Sequence, residues 1–176
     1  MGINPWQDNK YIIKILGGII MCSCCTGSLT NEVKNYISET RFIELASVNS
    51  QGRPEIRTLG SFANDGLTIY FSTGKKSAKV KQIEGNPWVV VLFQHENQDL
   101  PAYKNVTYYG KATVLENPEE FDIGVKALSD RNPRFKERAE KGQLGETVIF
   151  KIEPQNIKYL DFAAGSGPAA IKEIKF

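Results

Sequence analysis

The sequence predicts a mainly β protein, a six-stranded antiparallel β-barrel with flanking helices. Three observations carry that expectation: short β-type runs recur at close spacing, the turns between them have hairpin chemistry, and strands and helices do not alternate in the βαβ manner. The chain has 176 residues, 41% of them hydrophobic and 24% charged. That size and composition fit one ordinary globular domain with a substantial core, and exclude disordered, collagen-like and coiled-coil classes. A formal net charge of +2 is too small for a protein that coats DNA or RNA, so no nucleic-acid partner is expected. It leaves room for one local basic pocket.

The N-terminal stretch "KYIIKILGGIIMCSCC" sets Lys10 and Lys14 ahead of an apolar run from Ile15 to Met21. The run is too short to span a bilayer, and Met21, not a small residue, precedes Cys22, which argues against a secretory or lipoprotein signal. A cytoplasmic protein without membrane association is expected. All three cysteines, Cys22, Cys24 and Cys25, fall within four residues, and His95 is the sole histidine. Ligands so crowded do not complete a four-coordinate zinc or iron–sulfur site, and no disulfide framework can be built from them, so no metal is expected. The thiols should stay reduced. The expected division is residues 1–28 as an extension with the cysteine cluster, 29–162 as the barrel domain and 163–176 as a C-terminal tail.

In "SLTNEVKNYISET", Ser28 and Thr30 are capping residues, and Leu29, Val33, Tyr36 and Ile37 recur at helical spacing, predicting a helix over 30–39. Strands follow over 42–49, 54–63 and 67–73, separated by the turn sequences "NSQGRP" and "NDG". "SAKVKQIE" then reads as a helix with Ser77 near its start. "WVVVLFQ" is β-branched and aromatic enough for a strand buried on both faces, and "NVTYYGKATVLE" is a strand with a bulge or bend at Gly110. "PEEFDIGVKALSDRNPRFKERAEKG" is helical, with Pro118 near its start and an interruption at Asn132-Pro133. "ETVIFKIEPQNIKYLDF" supplies the last strand, or two. The segment "AAGSGPAA" reads as a flexible loop, and "IKEIKF" as a docked edge strand.

The chemistry concentrates in "TIYFSTGKKSAKVKQIEGNP", residues 68 to 87. Thr73-Gly74 releases the chain from a strand, and the helix that follows offers backbone N–H groups, the Ser77 hydroxyl and the Lys79 ammonium to one place. With the Thr73 hydroxyl these groups suit a phosphate. Arg57, on the preceding strand, is expected to reach the same point and add a bidentate guanidinium contact. Lys75, Lys76 and Lys81 read as a solvated helix face.

"GRPEIRTLGSF", "LTIYFSTGKKSAKVKQIEGNPWVVVLF" and "VTYYGKATVL", in that order, resemble the pyridoxamine 5'-phosphate oxidase-like FMN-binding split-barrel superfamily over residues 30 to 162. The resemblance implies a split barrel forming a homodimer, with FMN in a cleft between the two subunits. It implies Arg57 and Lys79 as phosphate cations, Thr73 and Ser77 as hydroxyl donors, and the backbone around Thr58 and Leu59 along the flavin ring. Asn105 stands where the family has a flavin-contacting Gln. The chain also departs from the family's true oxidases: Ala78-Lys79 replaces a basic pair, Phe62 stands in place of a Lys, and the tail lacks the Arg and His that take the substrate phosphate. Oxidation of vitamin B6 phosphates is therefore not expected.

The implied function is that of an FMN-dependent oxidoreductase or flavin reductase passing hydride or electrons between bound FMN and a small molecule. The alternatives are a deazaflavin- or haem-binding relative, and a non-catalytic flavin-binding stress-response module. No nucleophile–base–orienter set is recognisable, so no catalytic residue is assigned. His95 reads as a polar cap at a strand end, and Tyr108 or Tyr109 as bordering the pocket.

Overall fold

A computed structural model of the protein describes residues 23–176. The apolar N-terminal run, Lys10, Lys14 and Cys22 lie outside the described residues. Cys24 and Cys25 fall within the backbone of the first helix, α1 (Ser23–Glu39). Its Leu29, Val33, Tyr36 and Ile37 are all buried, which is the stripe that the helical spacing predicts.

Eight strands form where six were expected. They are β1 (Ile43–Val48), β2 (Pro54–Leu59), β3 (Phe62–Asp65), β4 (Thr68–Gly74), β5 (Trp88–Gln94), β6 (Lys104–Val114), β7 (Thr147–Asp161) and β8 (Ile171–Lys175). One extra strand arises because the run 54–63 breaks at Gly60-Ser61. Leu59 pairs with Ile43 of β1, whereas Phe62 pairs with Phe71 of β4, so the chain changes neighbours there. The other is β8, which docks on β7 from Asn156 to Leu160 as the edge strand expected of "IKEIKF". Two 3-10 turns, Phe162–Ala164 and Gly167–Ala170, occupy the intervening segment.

All pairings are antiparallel, in the order β2-β1-β5-β6-β7-β4-β3 with β8 beside β7. β2 and β3 end this path unpaired to one another, so the barrel is split. The long β7 joins its halves: one edge pairs with β6, and the other pairs first with β4 and then with β8. The β6–β7 register shifts between Tyr109 and Gly110, the position expected to bulge. A Cβ on Gly110 would stand 2.6 Å from Ile152 Cγ2 and 2.7 Å from the Glu153 carbonyl oxygen, so only glycine fits.

Alternation along the strands sorts side chains between two faces. Ile43 and Leu45, Val91 and Phe93, Val106 and Tyr108, Ile69 and Phe71, and Ile152 and Ile157 point inward with α1 and with Val80 and Ile83 of α2 (Ala78–Gly85). β5 is therefore buried on one face, not both: Val89, Val91 and Phe93 are buried while Trp88 is 55% exposed. Tyr108, one of the two tyrosines expected to border the pocket, is likewise core. It is fully buried and donates to the Leu67 and Ile152 carbonyl oxygens, and burial pushes its phenol well above the usual range. A second core forms where α3 (Pro118–Arg131) and α4 (Pro133–Glu140) cover Tyr70 and Ile149. These helices part at Asn132-Pro133 as expected, and Asn132 caps α4 by accepting from the Arg134 and Phe135 amides. Among the described residues no helix is long and apolar enough to cross a membrane.

Candidate functional site

The mouth of the barrel lies beneath α2. Arg57 sits at an inward position of β2, opposite Leu45, and Thr73 sits at an inward position of β4, two residues beyond Phe71. Ser77 is the N-cap residue of α2, yet its hydroxyl makes no capping bond. It accepts instead from Lys79 Nζ at 2.8 Å, and Thr73 Oγ1 accepts from the same ammonium at 3.0 Å. Three of the predicted residues thus converge. Burial lowers the Lys79 pKa, and the nearby Arg57 charge lowers it further. Among the described residues no carboxylate pairs with Lys79.

Arg57 does not bond directly to Thr73 or Ser77. Its Nη1 donates to Ser47 Oγ at 2.5 Å, and its Nη2 donates to Gln82 Oε1 at 2.8 Å and to Glu55 Oε2 at 3.3 Å. The guanidinium stands beside the Lys79 cluster, held by neighbours of its own. Ser47 and Gln82 are the residues that sequence reading missed. The only local sign is that both polar side chains lie among inward-facing apolar ones, Ser47 after Leu45 and Gln82 beside Val80 and Ile83.

The remaining predicted residues lie elsewhere. Thr58 points outward and donates to Glu44 at 2.8 Å. Leu59 is buried, and its backbone lies on β2, the terminal strand of the sheet, whose second edge pairs with no described strand. Asn105 is on β6, opposite Gln94 and Leu160. Thr58 and Gln94 share a groove of about 460 Å³ on the outer face with Arg41, Phe42, Glu44 and His95. That face also carries Ile56, 68% exposed, and the exposed Trp88. Lys75, Lys76 and Lys81 are exposed, but only Lys81 stands on the face of α2; Lys75 and Lys76 lie in the turn that precedes it, because the helix starts at Ala78.

His95 follows β5 and behaves as a strand cap. Its ring stacks on Tyr36 at 3.8 Å, and its Nε2 lies 3.0 Å from the Tyr36 carbonyl oxygen. A carbonyl only accepts, so the geometry assigns a proton to Nε2. Among the described residues no group of three or more histidine, cysteine, aspartate and glutamate side chains is placed to hold a metal ion.

Residues 29–161 match the family model described as pyridoxamine 5'-phosphate oxidase. General stress protein 26 of Bacillus subtilis is 31% identical over 134 residues, which span 76% of this chain and 89% of that protein. Heme oxygenase HutZ of Vibrio cholerae is 26% identical over 134 residues, 73% of this chain and 74% of the relative. Among solved structures, the heme binding protein from Mycobacterium smegmatis shares the fold with a TM-score of 0.68 at 14% identity, covering 89% of this chain and 60% of that one.

Proposed function

The chain belongs to the pyridoxamine 5'-phosphate oxidase family, and from that premise we propose that it binds FMN and acts as an oxidoreductase. The observation that carries this reading is the Lys79 ammonium, engaged among the described residues by the Thr73 and Ser77 hydroxyls and no carboxylate, while the Arg57 charge presses on it. Two cations held together with no carboxylate on one of them suit an incoming dianion. Hydroxyl groups can turn to donate to phosphate oxygens while the ammonium and guanidinium supply charge-assisted bonds. Arg57, Thr73, Ser77 and Lys79 would hold the phosphate, with the free edge of β2 at Thr58 and Leu59 and the Asn105 amide along the ring.

FMN supplies the redox chemistry when bound, passing hydride or electrons to a small molecule. The protein's part is to bind and orient it. Arg57 faces inward and Thr58 outward on consecutive positions of an edge strand, so a ligand gripped at the mouth reaches the outer face by crossing that edge. Among its polar groups the outer face exposes three large apolar side chains, Phe42, Ile56 and Trp88, which supports a homodimer with the flavin at the subunit boundary.

The name of HutZ raises haem as a second reading. Its axial ligand would have to be His95 if it were a histidine of this chain, and that ring is engaged at Nε2 and stacked on Tyr36. FMN is the better match to the cation and hydroxyl set. The name of general stress protein 26 raises a non-catalytic flavin module. The absorption spectrum of purified protein is the test: flavin bands support FMN, a Soret band supports haem, and a colourless preparation that refuses FMN rejects both. Anaerobic photoreduction with a panel of acceptors then distinguishes enzyme from module, because only an enzyme's flavin reoxidises faster with a particular acceptor.

A further inference from the structure

Gln82 and Ser47 form, with Arg57, a closed ring of hydrogen bonds. Arg57 Nη1 donates to Ser47 Oγ, Ser47 Oγ donates to Gln82 Oε1 at 2.7 Å, and Arg57 Nη2 donates to the same Gln82 oxygen. The other end of the amide fixes its direction, since Gln82 Nε2 donates to Glu55 Oε2 at 2.7 Å. Turned over, the amide would aim its NH2 at a guanidinium and its oxygen at a carboxylate. Ser47 is 2% exposed and Gln82 9% exposed, so both were taken out of water to make these bonds. The ring ties together β1, β2 and α2, the elements that build the barrel mouth.

The chemistry of the amide matters. A carboxylate at position 82 would hold the guanidinium equally well but would neutralise it. A neutral acceptor directs Arg57 and leaves its charge for a ligand. Glu55, the one carboxylate on this arginine, is water-exposed, and water weakens its pull. Three bonds to Ser47, Gln82 and Glu55 still leave N–H groups of the guanidinium for a further acceptor.

We propose that Gln82, backed by Ser47, is a positioning residue that presents a still-charged Arg57 to the terminal phosphate of the flavin. This deepens the FMN reading and rests on it. The test is a thermodynamic cycle on the full chain, with FMN and riboflavin affinities measured by titration of flavin fluorescence, and thermal melts of the flavin-free protein alongside. Gln82→Met should weaken FMN binding roughly tenfold or more, the effect of losing a bond to a charged group, and leave riboflavin binding within about twofold. In an Arg57→Ala background the same change should have no further effect. Gln82→Glu keeps both acceptor bonds but sets a second carboxyl against Glu55, so its FMN affinity should drop at neutral pH and, compared with the parent at each pH, recover as this carboxyl pair is protonated in acid. Should Gln82→Met not fold, Ser47→Ala enters the same cycle, with a smaller expected loss.

An equal loss for riboflavin, or full additivity with Arg57→Ala, overturns the positioning role and reduces Gln82 to a structural residue while the phosphate site stands. If Arg57→Ala itself leaves FMN affinity unchanged, the phosphate site fails, and the positioning proposal with it.

Discussion

Lys104 and Lys79 are both half-buried lysines on the barrel, and their surroundings have opposite effects on them. Lys104 Nζ lies 3.2 Å from Asp161 Oδ2 and 3.5 Å from Glu32 Oε1, above the Tyr159 ring. Burial disfavours its charge, but the hydrogen bonds to Asp161 and Tyr159 and the Asp161 charge outweigh burial and raise its pKa. Tyr159 in turn donates to Glu32, so the cluster pins α1 onto β6 and β7. Lys79 has hydroxyls where Lys104 has carboxylates, and a cation where Lys104 has anions. One cluster is electrically complete; the other has positive charge to spare. That contrast is what the proposed phosphate site requires of Lys79: a charge matched within the chain would have none left for a ligand.

The largest expected effect tests the incomplete cluster. Arg57→Ala combined with Lys79→Ala should weaken FMN binding by about 3–5 kcal/mol, read by calorimetric titration, because two charge-assisted contacts disappear. Urea unfolding of the flavin-free variant should show a smaller loss, about 1–2 kcal/mol, from the Arg57 bonds to Ser47 and Gln82. A flavin affinity that does not move would erase the contrast. The complete cluster should respond in reverse: Asp161→Ala should lower stability in urea by about 1–3 kcal/mol, after allowing for water around Lys104, and leave FMN affinity alone. Part of that loss is the Asp161 cap on the Ala163 amide.

A pH titration sharpens the comparison. Phosphate binds the charged form of Lys79, so its contribution is full below the pKa of the free protein and is lost as pH rises through it. That pKa is below the ordinary 10.5, so FMN affinity should begin to fall at lower pH than an ordinary lysine would give, by at most about tenfold per pH unit. Lys79→Arg should remove that alkaline decline. The smallest effect is on stability: Lys79→Met relieves the repulsion from Arg57 and should raise the stability of the flavin-free protein slightly, by about 0.5 kcal/mol or less, since solvent still screens the half-buried group. Lys104→Met should lower it.

What could be read from the sequence was local. Turn chemistry in "NDG", the proline at 133 and the stripe of Leu29, Val33 and Ile37 each act within a few residues, and each produced the expected element. Thr73, Ser77 and Lys79 were legible as a group because a strand end and a helix start are adjacent in the chain. The break at Gly60-Ser61 was not, since it reflects an exchange of partners between β1 and β4, and partners are chosen by the whole sheet. Ser47 and Gln82 were invisible for the same reason: their meaning depends on Arg57, which is 10 and 25 residues away. Of the two tyrosines expected at the pocket, Tyr108 is core, and the pleat that turns it inward is set by the register of β6, which no local signal reveals.

β7 is the only described strand that bonds to three others, and this makes it the keystone of a late assembly. During synthesis, the ribosome releases β4 and the β5–β6 pair before the segment that fastens one to the other has been made. Until residues 147 to 161 emerge, the nascent chain has open edges and bare apolar surface, the condition under which chains stick to each other or recruit chaperones. Folding of the barrel should therefore be an all-or-none event that waits for β7 to emerge, with the slowest-exchanging amides clustered on that one strand.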